Sequence, residues 1–570
     1  MALIAPEDIY VLKMPLIFGI LLLVIASRFW PLLRNYQAAK NLGIPILVSP
    51  VSWQNPLWML FGETIGRHLQ RLPFCQWALY SRFGWQMQDK YRMHSELGPA
   101  LVIVSPSNNE IVISDPAAAL QILHKWRHFP KSTSQTRIFE IFGPNVGTIW
   151  DDDWARHRKM ASVGFKESNY GLVWEATRQQ IEKLSYCWKG SAREPRAVSL
   201  EEITSGVSAL ALHVLVVAGF GNKDHDNREH TYSTPEPGHK LSYIDCLRIV
   251  LRNMIAISLL QSFNVKDTFL PKSIQRLREA ATEFETYLAE RVEAEREDIS
   301  MGKTTCQSNL LSSLVSANEV SRSHNNESIA TNQPYLSDLE LQGNLFTFNL
   351  AGYETTSGVL SYAIPWLAVR QDVQEWVYEE TIEVLNGQLS YEDSFPKLTR
   401  CLAILYETLR LHHPLPGQPR YTNDSRVLDV GDKQIFVPKH TYVTISCTTL
   451  MSDPKTWGAD SLEYNPFRWV QTIETDDTRR EQLLAPSGGT YIPWSYGPRV
   501  CQGKKWSQVE FVAVIAFLVR DNRISVARRA GESKTEATCR LRNILEDSYI
   551  NISPKIRRPQ DGSIMFSKRT

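Results

Sequence analysis

Near its C-terminal end the chain carries Trp494-Ser495-Tyr496-Gly497-Pro498-Arg499-Val500-Cys501-Gln502-Gly503, a turn that leads straight into an amphipathic helix expected over Trp506 to Arg520. A cysteine just ahead of a helix N-terminus gains the positive end of the helix dipole and nearby unpaired N–H groups, which favours a thiolate able to ligate a metal. Gly497 and Gly503 allow the backbone close to a flat ligand, Trp494 adds an aromatic wall, and Arg499 offers a cation to a carboxylate on that ligand. The competing reading for any one of the eight cysteines is an inert buried thiol. Surroundings, not residue type, set Cys501 apart.

Three further clusters carry chemistry. Ala351-Gly352-Tyr353-Glu354-Thr355-Thr356-Ser357 lies inside a long apolar helix that begins behind a Ser337/Glu340 capping box. Gly352 and the Thr pair are poor helix formers, so local propensity is overridden there, and a hydroxyl backed by a carboxylate, Thr355 and Glu354, can pass protons through ordered water. Glu407 and Arg410 stand three apart on one helix face, where a charge-assisted pair forms. Trp154 and Arg158 are one helical turn apart in Asp153-Trp154-Ala155-Arg156-His157-Arg158. Each of these spacings also occurs on ordinary solvated helix faces.

The elements that must position these residues are mostly helical. Amphipathic periodicity predicts helices around Trp174 to Trp188, Ile274 to Glu297, Leu336 to Val369, Val373 to Leu385 and Leu398 to Leu411. Short β-rich runs at Ala100 to Val104, Glu110 to Ser114, Gln434 to Val437 and Tyr442 to Ser446 predict a small accessory sheet, giving a mainly α, α+β fold. Polar stretches at Asn222 to Lys240 and Ser321 to Pro334 read as surface loops. With 570 residues, 43% hydrophobic composition and a formal charge of +1, the chain can bury a large core. Its charge balance argues against nucleic acid as a partner. The scattered cysteines exclude a disulfide framework and a zinc knuckle.

Taken together, the motifs resemble the cytochrome P450 family. The Cys501 loop is similar to F-x-x-G-x-R-x-C-x-G with Trp494 in place of Phe, and its indole N–H could alter the hydrogen bonding that tunes the iron. Glu407 and Arg410 match E-x-x-R, and Pro466-Phe467-Arg468-Trp469 matches P-x-R-W/F. The resemblance implies that Glu407, Arg410 and Arg468 form a structural ionic triad. W-x-x-x-R resembles the family's propionate helix, which gives Trp154 and Arg158 that role, and Arg420 sits where members place another propionate-binding arginine. The match to A/G-G-x-D/E-T-T implies a loosened helix with room for dioxygen. The implied fold is a helical P450-like body with small accessory sheets, and the implied cofactor is haem b with Cys501 on its iron.

The resemblance further implies insertion of one oxygen atom from O2 into a lipophilic molecule, in the style of fungal secondary-metabolite enzymes. Substrate contacts are then expected from Phe129 to Thr148, from Leu251 to Phe269, from the face carrying Phe346 and Ala351, and from Leu415 to Gly417. Lacking a Gly-rich nucleotide fingerprint, the chain is expected to receive electrons from a partner protein, and the resemblance implies that they come from NADPH through a membrane-bound diflavin reductase. Alternatives are an O2-independent isomerase or dehydratase, against which Glu354 and Thr355 speak, and a non-catalytic haem membrane protein.

The N-terminal run from Ile9 to Trp30 is apolar apart from Lys13 and long enough to cross a bilayer, with Arg28, Arg34 and Lys40 at or beyond its end. It reads as a single-pass anchor over residues 1–34, a proline-containing hinge over 35–60, and a catalytic domain over 61–570 facing the cytosol from the endoplasmic reticulum. Sequons at Asn326, Asn423 and Asn551 are then expected unmodified.

Overall fold

A computed structural model of the chain describes residues 26–191, 194–221, 234–262, 270–302, 309–325, 334–387, 389–475, 478–486 and 488–569. The fold is mainly helical with small sheets. Helix α1 (26–40) is followed by strand β1 (Ile46–Val48) and helix α2 (Pro56–Leu69). Further along come α3 (Asp151–Ser162), α4 (Leu200–Val214), α5 (Asp338–Val369), α6 (Gln371–Val384), α7 (Thr399–Leu411) and α8 (Lys504–Asp521).

Helix α5 is the axis of the molecule. The Ser337/Glu340 capping box closes its first turn, and nearly all of its C-terminal half is buried. It packs most heavily on α4, which continues as a π-helical turn at Leu215–Gly219. The stretch Leu200–Gly219 is long and apolar enough to pass for a membrane span, but 56% of it is buried, as in a core helix. Leu200, Ile203, Val207, Leu210 and Val214 form its buried stripe, while Glu201, Ser205 and Ala209 are exposed.

The main sheet adds strands β2 (Ala100–Val104), β3 (Asn109–Ile113), β4 (Gly417–Tyr421) and β5 (Tyr442–Ser446), in the order β1-β2-β3-β5-β4. Strand β5 runs parallel to β3 and antiparallel to β4, with Val443 opposite Arg420. Strands β2 and β3 are buried almost throughout, so they read as continuous apolar runs. A separate hairpin, β6 (Ser548–Ile550) with β7 (Pro554–Ile556), lies against α5.

Most of the expected anchor lies outside the described residues. Within residues 35–60, expected as a hinge, residues 35–40 end α1, Ile46–Val48 form β1 of the main sheet and Pro56 opens α2. Asn35 Nδ2 donates to Ser105 O at 2.8 Å, β1 pairs with β2, and α2 opens at Pro56 under an Asn55 cap. The prolines stiffen this segment, but strand pairing gives its N–H groups partners that a free hinge lacks. Ser321 to Asn325, expected as loop, is the last turn of the helix Leu310–Asn325. Residues 222–233, 326–333 and 263–269 fall outside the described residues.

Candidate functional site

The Cys501 loop is built by tight backbone geometry. Gly497 adopts φ +71, and a Cβ there would lie 3.2 Å from Leu123 O, so only glycine fits without strain. Cys501 N donates to Trp494 O at 2.9 Å, and α8 begins three residues later at Lys504. Cys501 is exposed, yet burial pushes its thiol up. Its opening is therefore toward an internal space, not the outer surface. The Gly503 N–H, Arg158 and Lys504 act in the opposite direction, favouring the thiolate. The Trp494 indole N–H does not serve the sulfur: it donates to Ser507 Oγ at 3.1 Å.

Four cations converge beside this loop. Arg158 Nη1 donates to Val500 O at 2.8 Å, and Arg499 Nη2 to Val146 O and Ile149 O. Among the described residues buried Arg420 bonds only its neighbours Pro419 O and Gln418 Oε1, and Lys131 Nζ donates to Gly147 O at 2.7 Å. Among the described residues no carboxylate forms an ion pair with any of the four. Burial, then repulsion from Arg499 and Arg420, lowers the Lys131 ammonium to about 7. Burial, then Arg420 and Arg158, lowers Arg499 to about 9. Burial lowers Arg420 to about 10.

Buried cations without counter-ions are costly unless an anion arrives. Arg499 Nη1 is moreover buried with no hydrogen-bond partner. The guanidinium lies in an aromatic cage, 4.2 Å from the Trp150 ring, 4.9 Å from Trp154 and 5.7 Å from Trp126. A planar group with two carboxylates, placed next to Cys501, fits this donor set. The sequence singled out Arg158, Arg420, Arg499 and Trp154 but missed Lys131, Trp126 and Trp150. Local pattern held no signal for these three, because only the fold brings them to Arg499.

Opposite stands the middle of α5. Ala351 is exposed with Gly352, Tyr353 and Thr355 half-buried around it, and Thr355, on the same side one turn on, donates from Oγ1 to Ala351 O at 2.7 Å. A Cβ on Gly352 would lie 3.3 Å from Leu215, which fixes how closely the π-helical turn approaches. Phe165 connects the two sides, stacking edge-on to Phe348 at 5.5 Å and standing beside the Gly503 position. Glu354 points elsewhere. Its Oε1 takes a hydrogen bond from Ser553 Oγ and an ion pair from Lys555 Nζ, each at 2.7 Å.

Not every expected contact faces this space. Phe346 is fully buried against Phe142 and Phe284, so it belongs to the core. Phe129 is likewise buried beneath the sheet. Leu415, by contrast, is exposed.

The expected triad is assembled on the far side of α7. Glu407 and Arg410 are both fully buried and joined by two 2.8 Å bonds, while Arg468 Nε stands 3.5 Å from Glu407. Trp469 Nε1 and Asn465 N also donate to Glu407, so its carboxylate is saturated, and Arg410 reaches Met451 O and Ser461 O. Such a pair is stable only when every lone pair is used, as here.

A family model described as Cytochrome P450 matches residues 68–543. A cytochrome P450 monooxygenase of Arthrobotrys oligospora is 25% identical over 94% of this chain and 96% of that protein. A second, from Postia placenta, is 29% identical over 82% of this chain and 85% of its own. The phomenoic acid biosynthesis cluster cytochrome P450 monooxygenase of Leptosphaeria maculans is 26% identical, covering 96% of each.

Proposed function

The chain belongs to the cytochrome P450 family of oxygen-incorporating oxidoreductases, and from that premise we propose a haem-thiolate monooxygenase that inserts one oxygen atom from O2 into a lipophilic organic substrate. The observation that carries this reading is the cluster of Lys131, Arg158, Arg420 and Arg499, which has no carboxylate ion-pair partner among the described residues and sits beside an inward-facing Cys501. When bound, haem supplies the redox-active iron that activates dioxygen.

The chain's own residues do the rest. Cys501 would ligate the iron through its sulfur, giving its thiol proton to solvent, with Arg158, Lys504 and the Gly503 N–H holding the resulting charge. The four cations would take the two propionates, and Trp154 with Trp150 would keep Arg499 turned inward. The apolar residues around Ala351 and Leu215 exclude bulk water from the reacting side. Thr355 would hold a proton-relaying hydroxyl there, with Glu354 as the acidic partner behind it.

The buried aromatic and aliphatic lining favours a lipophilic substrate, and the phomenoic acid cluster relative supports a place in fungal secondary metabolism. Electrons would come from NADPH through a membrane-bound diflavin reductase. The apolar sequence from Ile9 to Trp30 supports a single-pass anchor in the endoplasmic reticulum, with the body in the cytosol. Glu354 and Thr355 weigh against an O2-independent isomerase or dehydratase.

The test is spectroscopic. Reduced protein under carbon monoxide is expected to give the red-shifted Soret band of thiolate ligation, and Cys501→His to abolish it. A colourless wild-type protein, or an unchanged band in Cys501→His, overturns the reading. Co-expression with a reductase and mass spectrometry of lipophilic precursors should then show a gain of one oxygen.

A further inference from the structure

Strand β4 serves two sides of the molecule. Gln418 Oε1 accepts from Ser495 Oγ of the Cys501 loop at 3.0 Å, and Arg420 belongs to the cation cluster. Successive side chains of a strand point to opposite faces. Gly417 and Pro419 therefore turn the other way, and both line a cavity of about 30 Å³ whose wall also includes Trp53, Phe83, Glu110 and Thr444. A Cβ on Gly417 would lie 2.9 Å from Gln86 Nε2 and 3.1 Å from Thr444 Cγ2, so glycine keeps the strand clear of this space.

Glu110 is the acid of this wall. It is 3% exposed, on a face of β3 where its neighbours Leu101, Ile103 and Val112 are apolar core. Trp53 Nε1 donates to one of its oxygens at 2.7 Å and Thr444 Oγ1 to the other at 2.5 Å. Among the described residues it forms no ion pair. Arg82, the other charged residue of the lining, donates instead to Glu63, Gln70 and Gln88, so its charge is already answered. Burial pushes the Glu110 carboxyl above its usual range, and a carboxylate so placed is stabilised when a cation is brought to it. The Trp53 and Phe83 rings, with centroids 5.4 Å apart, stand in the same wall.

The geometry points to Glu110 as a specificity-determining residue: its cavity takes the ammonium group of a lipophilic primary amine, whose apolar body runs out past Leu415. This rests on the monooxygenase reading and names the substrate class for it. The ammonium group matches the cavity on three counts. The space holds about two water-sized groups, which suits a primary ammonium and not a bulky ring. The ligand supplies the cation that Glu110 lacks, and the ring faces of Trp53 and Phe83 attract it. An alcohol of the same length fills the space without the charge, and a carboxylate is repelled by Glu110. Leu415, exposed at the edge of the lining, directly precedes the strand whose other face reaches the Cys501 loop.

The test is binding to the full-length holoenzyme in neutral-lipid nanodiscs, reduced and capped with carbon monoxide so that no nitrogen ligates the iron. Equilibrium dialysis compares octylamine, octanol and octanoate, with empty nanodiscs as the blank. Wild-type protein is expected to bind the amine about 30-fold more tightly than the alcohol, the scale of a hydrogen bond to a charged group. Octanoate should bind most weakly. Glu110→Gln should erase the preference for the amine, and Glu110→Asp, which keeps the charge, should retain it. A Glu110 that only bridges Trp53 and Thr444 would instead change the affinity for all three probes alike.

Equal affinity of the wild-type protein for amine and alcohol overturns the subsite without recourse to any variant, and so does a preference that survives Glu110→Gln. Gly417→Ala, which adds a methyl group beside Gln86 and Thr444 and leaves the carboxylate in place, is expected to weaken amine binding about tenfold; undiminished binding in that variant overturns the cavity as its seat. With a diflavin reductase and NADPH, octylamine is expected to gain one oxygen, and an amine that binds but is never oxygenated overturns its standing as substrate class. The carbon monoxide spectrum separates the two readings. A thiolate Soret band without amine preference overturns the subsite alone, whereas a protein that gives no such band removes the monooxygenase reading and the substrate class with it.

Discussion

Lys131 is the residue on which the cation cluster turns. An isolated ammonium lowered to about 7 by burial and two neighbouring guanidinium groups is largely neutral above that pH until an anion arrives. Binding a dianion raises its proton affinity, so above pH 7 Lys131 takes up one proton on haem uptake while Cys501, whose thiol is pushed up by burial, releases one. The sign follows: affinity rises about tenfold per unit up to about pH 7, where only the thiol proton is lost, and levels off above it, where the two protons cancel. Haem titration of apoprotein between pH 6 and about 9 measures this. Lys131→Met is expected to weaken binding below pH 7 and to let affinity keep rising above it, and a levelling unchanged in that variant would discard the assignment.

The same residue marks what the sequence could tell. Cys501, Gly497, Arg499 and Gly503 lie within seven positions, so their shared turn is legible along the chain. Lys131, Trp126 and Trp150 reach Arg499 from far upstream, each an ordinary lysine or tryptophan in its own stretch. Glu354 stands out along the chain as the acid of its motif, but the direction in which it points depends on a hairpin two hundred residues later.

At the scale of elements, amphipathic periodicity located the long helices that carry Glu407, Arg410 and Thr355, and its boundaries at Trp506 and Leu336 were two residues from those observed. It did not pick out α4, although Ile203, Val207, Leu210, Ala211 and Val214 form a buried stripe spaced three and four apart. What holds α5 against the loop before α3 is shape. A Cβ on Gly343 would lie 2.5 Å from both Gly143 O and Pro144 O, and these are backbone atoms that cannot yield. Asn344, the next residue, accepts from Val146 N and donates to the ring nitrogen of His157, while His157 also bonds Glu340. The helix, α3 and the Lys131-bonded loop are thus one packed unit. Gly343→Ala is expected to cost about 2–3 kcal/mol by overpacking and to displace that loop. Thermal denaturation should show the loss. Haem retention should fall with it, because Gly147 O, Val146 O and Ile149 O orient Lys131 and Arg499.

For the molecule as a whole, the distribution of exposed apolar side chains is uneven. Helix α2 turns Leu57 (68%), Leu60 (45%), Phe61 (57%) and Ile65 (46%) to solvent on one face, and Phe74 after it is 96% exposed. Spaced three and four apart, they form an apolar stripe directed outward, the reverse of a surface helix facing a core. Arg67, His68 and Arg71 follow at the helix end. Upstream, α1 exposes Phe29 and Trp30, and Asn35 and Gln54 both bond the Ser105–Asn109 turn, so the two helices share one buttress. A cavity of about 30 Å³ opens between Trp53, Phe83, Trp85 and Leu415 to Gly417, joining this side of the body to the residues expected at the substrate. An apolar stripe flanked by cations binds the interface of an anionic bilayer. Deleting residues 1–25 is therefore expected to release the protein from carbonate-washed membranes while leaving it bound to anionic vesicles at low salt. Replacing Phe61 and Phe74 by Ser in that shortened protein should abolish the residual binding in flotation. A shortened protein that floats equally with and without those two rings would show that α2 plays no part in holding the body to lipid.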